Sequence, residues 1–474
     1  MMKAANRLVA ALALGLGIAL PVHAQSVTSG VTTGAVIPEV EIVPPSPSSA
    51  RSQTFTLGLT AGMGETDNVA QTPSDRRSQT LALAGIDFGW IRTGSAFDAN
   101  VVGNFDYLDY LQGAYGSELL GRFDGLTNLS LFDDHLKWYL QDDFGEGELN
   151  AFAPATPTNL EHVNFFMTGP EVTVHPLSDT EFQFGARYAV ATYETSPLNG
   201  TRATENVLLQ QSLSEGSNVA LGAEMEELRF DNTVVNSNYD RSRFYLRYSI
   251  SGARTQITTA LGENQTDDGG GWVAAPMVQF DLTHHFTPQT QFILNAGHEF
   301  TDAADTFSDL RTGAAGGIVV APVALTSEDY QRTYAGAGLQ VNGLRTTIGA
   351  TAYWERDTYA IDDVFNVTRG TLELRATRQV TRTVSGELFG ALTQSRYFEQ
   401  GGEINTRTIG ADVTWRASRT LEVEGRYSHN FQSTSGAGGY GYTANTIFLT
   451  LTYRPLRPAQ EESELQQQQQ QQQQ

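Results

Sequence analysis

The side chains with most scope for chemistry in this sequence are charged residues at alternate positions. Glu224 and Glu226 share one face of a two-residue repeat, with Leu221, Ala223 and Met225 on the other; Arg243 and Arg247 likewise alternate with Phe244, Leu246 and Tyr248. The two segments are consecutive, joined by a connection at 231–239, so pairing them brings an acidic row beside a basic one. The same placement is expected for Glu373 and Arg375, for Asp412 and Arg416, and for Glu422, Glu424 and Arg426. Two roles are open to such rows. They can form cross-strand ion pairs that stiffen a wet interior, or set the field at a constriction and so select solutes.

Other chemistry finds little support. The chain has no cysteine, which removes cysteine nucleophiles, zinc–cysteine sites and disulfides, and beyond the leader its only lysine is Lys137. Gly313-Ala314-Ala315-Gly316-Gly317 lacks the strand, helix and spacing of a dinucleotide fingerprint. His284 and His285 are adjacent, and neighbours on a strand face opposite ways, which argues against joint metal ligation. Ser428-His429 is likewise adjacent, and Ser178 follows His175 by three residues in a turn; neither spacing holds a base against a nucleophile. The expectation is a non-enzyme without metal or cofactor, an acyl hydrolase being a distant third reading.

The elements that position these charges follow a period of two. Apolar residues alternate at Phe55, Leu57, Leu59, Ala61 and Met63, at Phe97, Ala99, Val101, Phe105 and Tyr107, at Ile348, Ala350, Ala352 and Trp354, and in segment after segment between. Tight connections near 93–94, 133–134, 176–179, 215–216, 251–252, 287–288, 342–343, 380–381 and 418 alternate with longer ones such as 65–77, 145–160, 264–271, 302–327 and 433–440. Short turns on one side and long loops on the other describe an all-β fold, an antiparallel transmembrane β-barrel, with about 20 strands, or 18, over residues 51–455. A sandwich would break into units of about seven to nine strands, and this pattern has no break. Trp90, Trp138, Tyr193, Trp272, Trp354, Trp415 and Tyr453 fall at strand ends, as interfacial girdles do. The loop at 145–160 is long enough to fold inward and narrow the lumen. The loop at 302–327, with GAAGGIVVAPVAL, is apolar enough to pack either into the lumen mouth or against lipid.

The ends carry their own signals. Residues 1–24, with Lys3 and Arg7 before an apolar run from Leu8 to Leu20 and small Ala24, form a signal peptide; 25–50 is a Pro/Ser-rich linker and 456–474 a glutamine-rich disordered tail. An even strand number places both termini in the periplasm of a Gram-negative cell. The formal net charge of −23 excludes nucleic acid as a partner. Acidic outer loops would instead meet lipopolysaccharide through divalent cations.

The stretch GMGETDNVAQTPSDRRSQTLALAGIDFGW, with Asp67, Asn68 and Val69 at its turn, followed by FDANVVGNFDYLDY, resembles the opening hairpins of outer-membrane β-barrel porins encoded near exopolysaccharide and exosortase gene clusters. The resemblance implies outer-membrane residence and a part in polysaccharide export, and it carries over no catalytic residue. The C-terminus departs from the outer-membrane pattern, since residues follow the last aromatic. The final strand, TIFLTLTYRP, presents Ile447, Leu449, Leu451 and Tyr453 on one face and serves as the signal for the barrel-assembly machinery. The expected function is a passive porin-like channel for small solutes or saccharides, with a plugged component of a polysaccharide-export system as the alternative.

Overall fold

The computed structural model describes residues 52–132, 135–312, 325–361, 363–399, 401–436 and 441–456. The leader, the linker and the tail from residue 457 lie outside these, as do Asp133, Asp134 and residues 313–324 of the apolar connection.

The first ten strands are β1 (Ser52–Thr66), β2 (Gln79–Thr93), β3 (Phe97–Tyr110), β4 (Glu118–Leu131), β5 (Leu136–Glu148), β6 (Leu160–Leu177), β7 (Thr180–Tyr193), β8 (Gly200–Ser214), β9 (Ser217–Phe230) and β10 (Tyr239–Ser251). The second ten are β11 (Thr255–Asp267), β12 (Val273–Thr287), β13 (Thr290–Thr301), β14 (Tyr330–Asn342), β15 (Thr346–Tyr359), β16 (Val367–Gln379), β17 (Val384–Tyr397), β18 (Gly402–Arg416), β19 (Leu421–Ser435) and β20 (Tyr442–Leu456). One helix, α1 (Ala303–Thr312), lies in the β13–β14 connection. Each strand pairs antiparallel with the next, and β1 pairs with β20, so the sheet closes as a 20-stranded barrel. Tight turns and long loops alternate as the sequence predicts, with the start of β1 and the end of β20 on the tight-turn side.

The period of two becomes an inside and an outside. On β20, Ile447, Leu449, Leu451 and Tyr453 are exposed on the outer face, while Thr446, Phe448, Thr450 and Thr452 are buried. On β9 and β10, Leu221, Met225, Phe244 and Leu246 are exposed outside, and Glu226 and Arg241 are buried inside. The outer face has its own packing. The ring of Phe88 covers Gly103, its partner across the β2–β3 ladder, where any side chain would collide with the ring. Phe105 and Phe123 continue this belt, with centroids 6.4 Å and 6.2 Å from that of Phe88. Trp138, Trp354, Trp415 and Tyr453 are exposed as girdle residues should be. Tyr193 corrects that expectation: it ends β7 on the inner face and is buried with Val163, Phe165 and Phe307.

The Asp67-Asn68-Val69 turn lies where the barrel closes. The Asp67 carboxylate accepts from the backbone N–H of Asn445 (2.7 Å) and from its side-chain amide (2.6 Å), and the Asp67 N–H donates to the Asn445 carbonyl at 3.1 Å. Asn68 donates to the carbonyls of Thr443 (3.0 Å) and Thr72 (2.8 Å), and Val69 is buried with Leu81, Leu108 and Phe448. The turn thus extends the β1–β20 ladder by side-chain bonds.

Replacing Asp67 by Ala removes hydrogen bonds to a charged acceptor at this seam and should lower the unfolding free energy by about 1.5–3 kcal/mol. The readout is the urea midpoint of the barrel in vesicles; an unshifted midpoint would exclude the motif from closure.

Candidate functional site

The long-loop end of the lumen is occupied by two segments of the chain itself. The first is α1. Asp302 starts it as N-cap, its Oδ1 accepting from the N–H groups of Ala304 (2.9 Å) and Asp305 (3.0 Å). Its other oxygen accepts from Arg202 of β8 (2.6 Å), Arg241 of β10 (3.2 Å) and the Tyr239 hydroxyl (2.8 Å). Asp305 pairs with both Arg202 and Arg241, and Glu226 of β9 lies between them, 2.6 Å from Arg241. Farther along α1, the Thr306 hydroxyl meets that of Tyr330 on β14 at 2.7 Å. Ser308 donates to Asp143 of β5 at 2.9 Å and accepts from Gln141 at 2.7 Å. Ala304 and Phe307 pack on Phe165, Ala189, Tyr193 and Leu198. A single ten-residue helix therefore bonds to β5, β8, β10 and β14.

Glu226, Asp302 and Asp305 bring carboxylate oxygens within 4.8 Å of one another, as a metal site would. Arg202 and Arg241 already bridge these three groups, so the positive charge that a cation would bring is supplied by guanidinium. Burial pushes the Asp305 carboxyl up, and Arg202, Arg241 and Arg243 overcome this and hold it well below the usual carboxylate range.

The second segment is the β5–β6 loop, 149–159, which does fold inward. Asn159 organises it: its amide donates to the carbonyls of Asn150 (3.0 Å), Ala153 (3.3 Å) and Pro154 (3.1 Å), and its Oδ1 accepts from the Asn150 N–H at 2.9 Å. The loop carries Phe152 to Tyr397 at the end of β17 (4.6 Å between centroids) and to Phe365 in the β15–β16 loop (6.1 Å), half-way round the sheet. Gln71 of the β1–β2 loop donates to the carbonyl of Ala155 at 3.4 Å.

The charged rows read from the sequence lie on inner faces, and most meet partners across the ladder. Glu224 is the register partner of Arg243 and lies 3.5 Å from it; Glu226 pairs with Arg241. Arg247 reaches Gln210 at 3.4 Å. Arg375 pairs with Glu387 of β17. Asp412 and Arg416 do not pair with each other: Asp412 lies opposite Arg426 (4.0 Å) and Arg416 opposite Glu422 (3.5 Å). Glu422 also accepts from Arg454 (3.1 Å), which reaches Asp87 of β2. Glu424 faces inward opposite Thr414. The sequence reading missed Arg202, Arg241, Asp302 and Asp305, and also a second cluster in which Glu355 joins Arg332 (2.7 Å) and Arg369. Arg241 was within reach of the periodicity, two positions before Arg243 on the same face.

Ser428 and His429 occupy successive β19 positions, and His429 bonds to Asn445 at 2.8 Å. His284 bonds to Thr255 at 2.8 Å, apart from His285.

Residues 341–455, which include strands β15–β20, match the family described as "Putative beta-barrel porin 2". Over those residues, the resemblance to a β-barrel porin family is borne out. No curated protein matches it. Among solved structures it is similar to the FrpB iron transporter (F3-3 variant) of Neisseria meningitidis, with 11% identity over 84% of this chain and 81% of that one and a TM-score of 0.41. It is similar also to the siderophore receptor PirA of Pseudomonas aeruginosa (10%, 85% and 80%, TM-score 0.43) and to a mutant of the ferric enterobactin receptor PfeA of the same organism (10%, 85% and 80%, TM-score 0.46).

Arg241→Ala strips the counter-charge from Glu226, Asp302 and Asp305 and should destabilise the barrel by about 3–5 kcal/mol; urea titration of the variant in vesicles measures it. For Asp305, a folded pKa below the unfolded one means that its contribution is complete above the ordinary carboxylate range and is lost as pH falls through the depressed value. Protease access to α1 should therefore be the same at about pH 8 and about pH 5 and rise only in stronger acid. A rise near neutrality would contradict the pairing.

Proposed function

We propose that this protein is a non-enzymatic, passive outer-membrane channel for small solutes or saccharides, narrowed at its long-loop mouth by α1 and the 149–159 loop. The observation that carries this reading is the anchoring of α1 by Asp302 and Asp305 to Arg202 and Arg241. An unobstructed barrel of this strand number encloses a wide aqueous lumen, because 16 to 18 strands already form open porins. An inward segment fixed by charge-assisted bonds restricts such a lumen to small solutes. The acidic excess of the chain favours cations and neutral solutes over polyanions.

The termini of the barrel belong on the periplasmic side, the acidic loops face lipopolysaccharide, and β20 is the strand presented to the assembly machinery. The same occlusion supports a second reading, a plugged component of a polysaccharide-export system, in which partner components would displace the plug.

Planar-bilayer recordings separate the two. The channel reading expects discrete open steps with cation preference, and larger steps from the Asp302→Ala/Asp305→Ala double variant. Silence from both proteins, each shown to be folded, would discard the channel in favour of the scaffold.

A further inference from the structure

Below the α1 anchor the lumen wall holds a cavity of ≈110 Å³ between β9, β10, β11 and β12, several times the space of one water. Its polar lining is Glu224, Arg243, Tyr245, Arg247, Thr258, Gln279 and Asp281, with Ala260 and Met277 as an apolar floor. Arg243 Nη2 lies 4.0 Å from Asp305, which ties this wall to the base of the plug.

We propose that this cavity is a binding subsite for one ring of a neutral sugar on its way through the lumen; the inference rests on the channel reading and names its substrate class. The lining carries two carboxylates and two guanidiniums, so it offers no net charge to attract an ion. Glu224 and Arg243 are opposite one another and 3.5 Å apart, so the charges are answered within the wall. What remains is hydrogen-bonding capacity. The Nε atoms of Arg243 and Arg247 are enclosed without a partner, so the donors that a ligand in the cavity can reach belong to the Nη groups of these partly exposed guanidiniums. Asp281 supplies acceptors, and Gln279, whose amide already donates to Glu299 at 2.8 Å, adds its carbonyl oxygen. A polyol hydroxyl both donates and accepts and can satisfy groups of either kind. Tyr245 adds the aromatic surface. Its ring lies over Gly222, where a side chain would occupy the ring's place, and lines the cavity beside both arginines. A sugar has apolar C–H faces that suit such a surface. A small zwitterion also matches a neutral site with both signs, but it would have to compete with the Glu224–Arg243 contact and would leave the ring without a function.

The test uses the full-length protein in detergent micelles and saturation-transfer NMR with methyl α-glucoside, a measurement independent of conduction. Transfer to the ring protons is expected from the wild type. Arg247→Gln and Tyr245→Ala should each weaken binding roughly tenfold, the effect of one charge-assisted or stacking contact. Arg247 bonds only weakly to Gln210, so Arg247→Gln should keep the wild-type urea midpoint, while Tyr245→Ala bares Gly222 and should lower it modestly, so its binding is read below that midpoint. Absence of transfer, transfer that survives both substitutions, or displacement of the glucoside by glycine betaine at equal concentration would each overturn the sugar site. A silent bilayer with intact transfer would overturn the channel and leave the site standing; an open channel without transfer would do the reverse.

Discussion

Every backbone amide in hydrocarbon must find its partner within the protein, and the rest of this structure follows from that constraint. An open sheet of twenty strands would present two unpaired edges to lipid. Pairing β1 with β20 removes both, and it sets the strand count, the polarity code of each strand and the common end for the chain termini. The seam has the largest sequence separation of any ladder, so it forms against the greatest loop-closure entropy. Local reinforcement is concentrated there. The Thr60 and Thr452 hydroxyls meet at 2.9 Å inside, and Asp67 and Asn68 bind the strand after the ladder itself has ended. A register irregularity between Leu57 and Leu59 lets the two strands meet without shifting the apolar face of β20 out of lipid.

Closure creates the opposite problem inside. A lumen this wide cannot be filled by the wall's own side chains, so the groups that line it stay polar and the space is taken by water or by inserted chain. Buried ion pairs contribute modestly to stability because desolvation offsets their attraction. They are stringent about geometry, however, since a displaced partner leaves a charge unanswered. Arg202 and Arg241 stand on strands flanking β9 and hold the first turn of α1 by two carboxylates, one of which is also the helix cap. The Glu355 cluster on β14–β16 lies farther round the same lumen, near the aromatic contact made by Phe152. The two inserted segments thus share a network: Arg332 of this cluster also bonds Thr306 of α1, and Tyr330, which meets Thr306, stacks on Tyr359 and through it on Phe365.

The barrel was legible in the sequence because both of its determinants are local. Alternation assigns each residue to lipid or lumen, and turn length assigns each connection to one end, with no need of contacts distant in sequence. Neighbouring strands being sequential neighbours, the facing of Glu224 and Arg243 could also be read directly. The occlusion could not. AADTFSDLRT is a short polar stretch without helical periodicity strong enough to announce α1, and its charge partners Arg202 and Arg241 stand on strands distant in sequence. Tyr193 was misplaced for a related reason: an aromatic at a strand end suits a girdle or a lumen plug equally, and only the presence of Phe307 decides.

The two halves of the interior therefore differ in what they ask of a solute. At the mouth, Arg202 and Arg241 hold Glu226 and the two carboxylates of α1, which narrows steric access. Deeper, beside Glu224, Arg243 and Arg247, charges are matched within the wall while individual donors are not. A neutral field with unspent hydrogen bonds discriminates by shape and hydroxyl placement more than by charge. On the channel reading, selectivity then resides in the wall below the plug, and the plug limits size. On that reading the acidic excess sets the preference of cations over anions, while the choice among neutral solutes falls to the hydrogen-bonding groups of the wall.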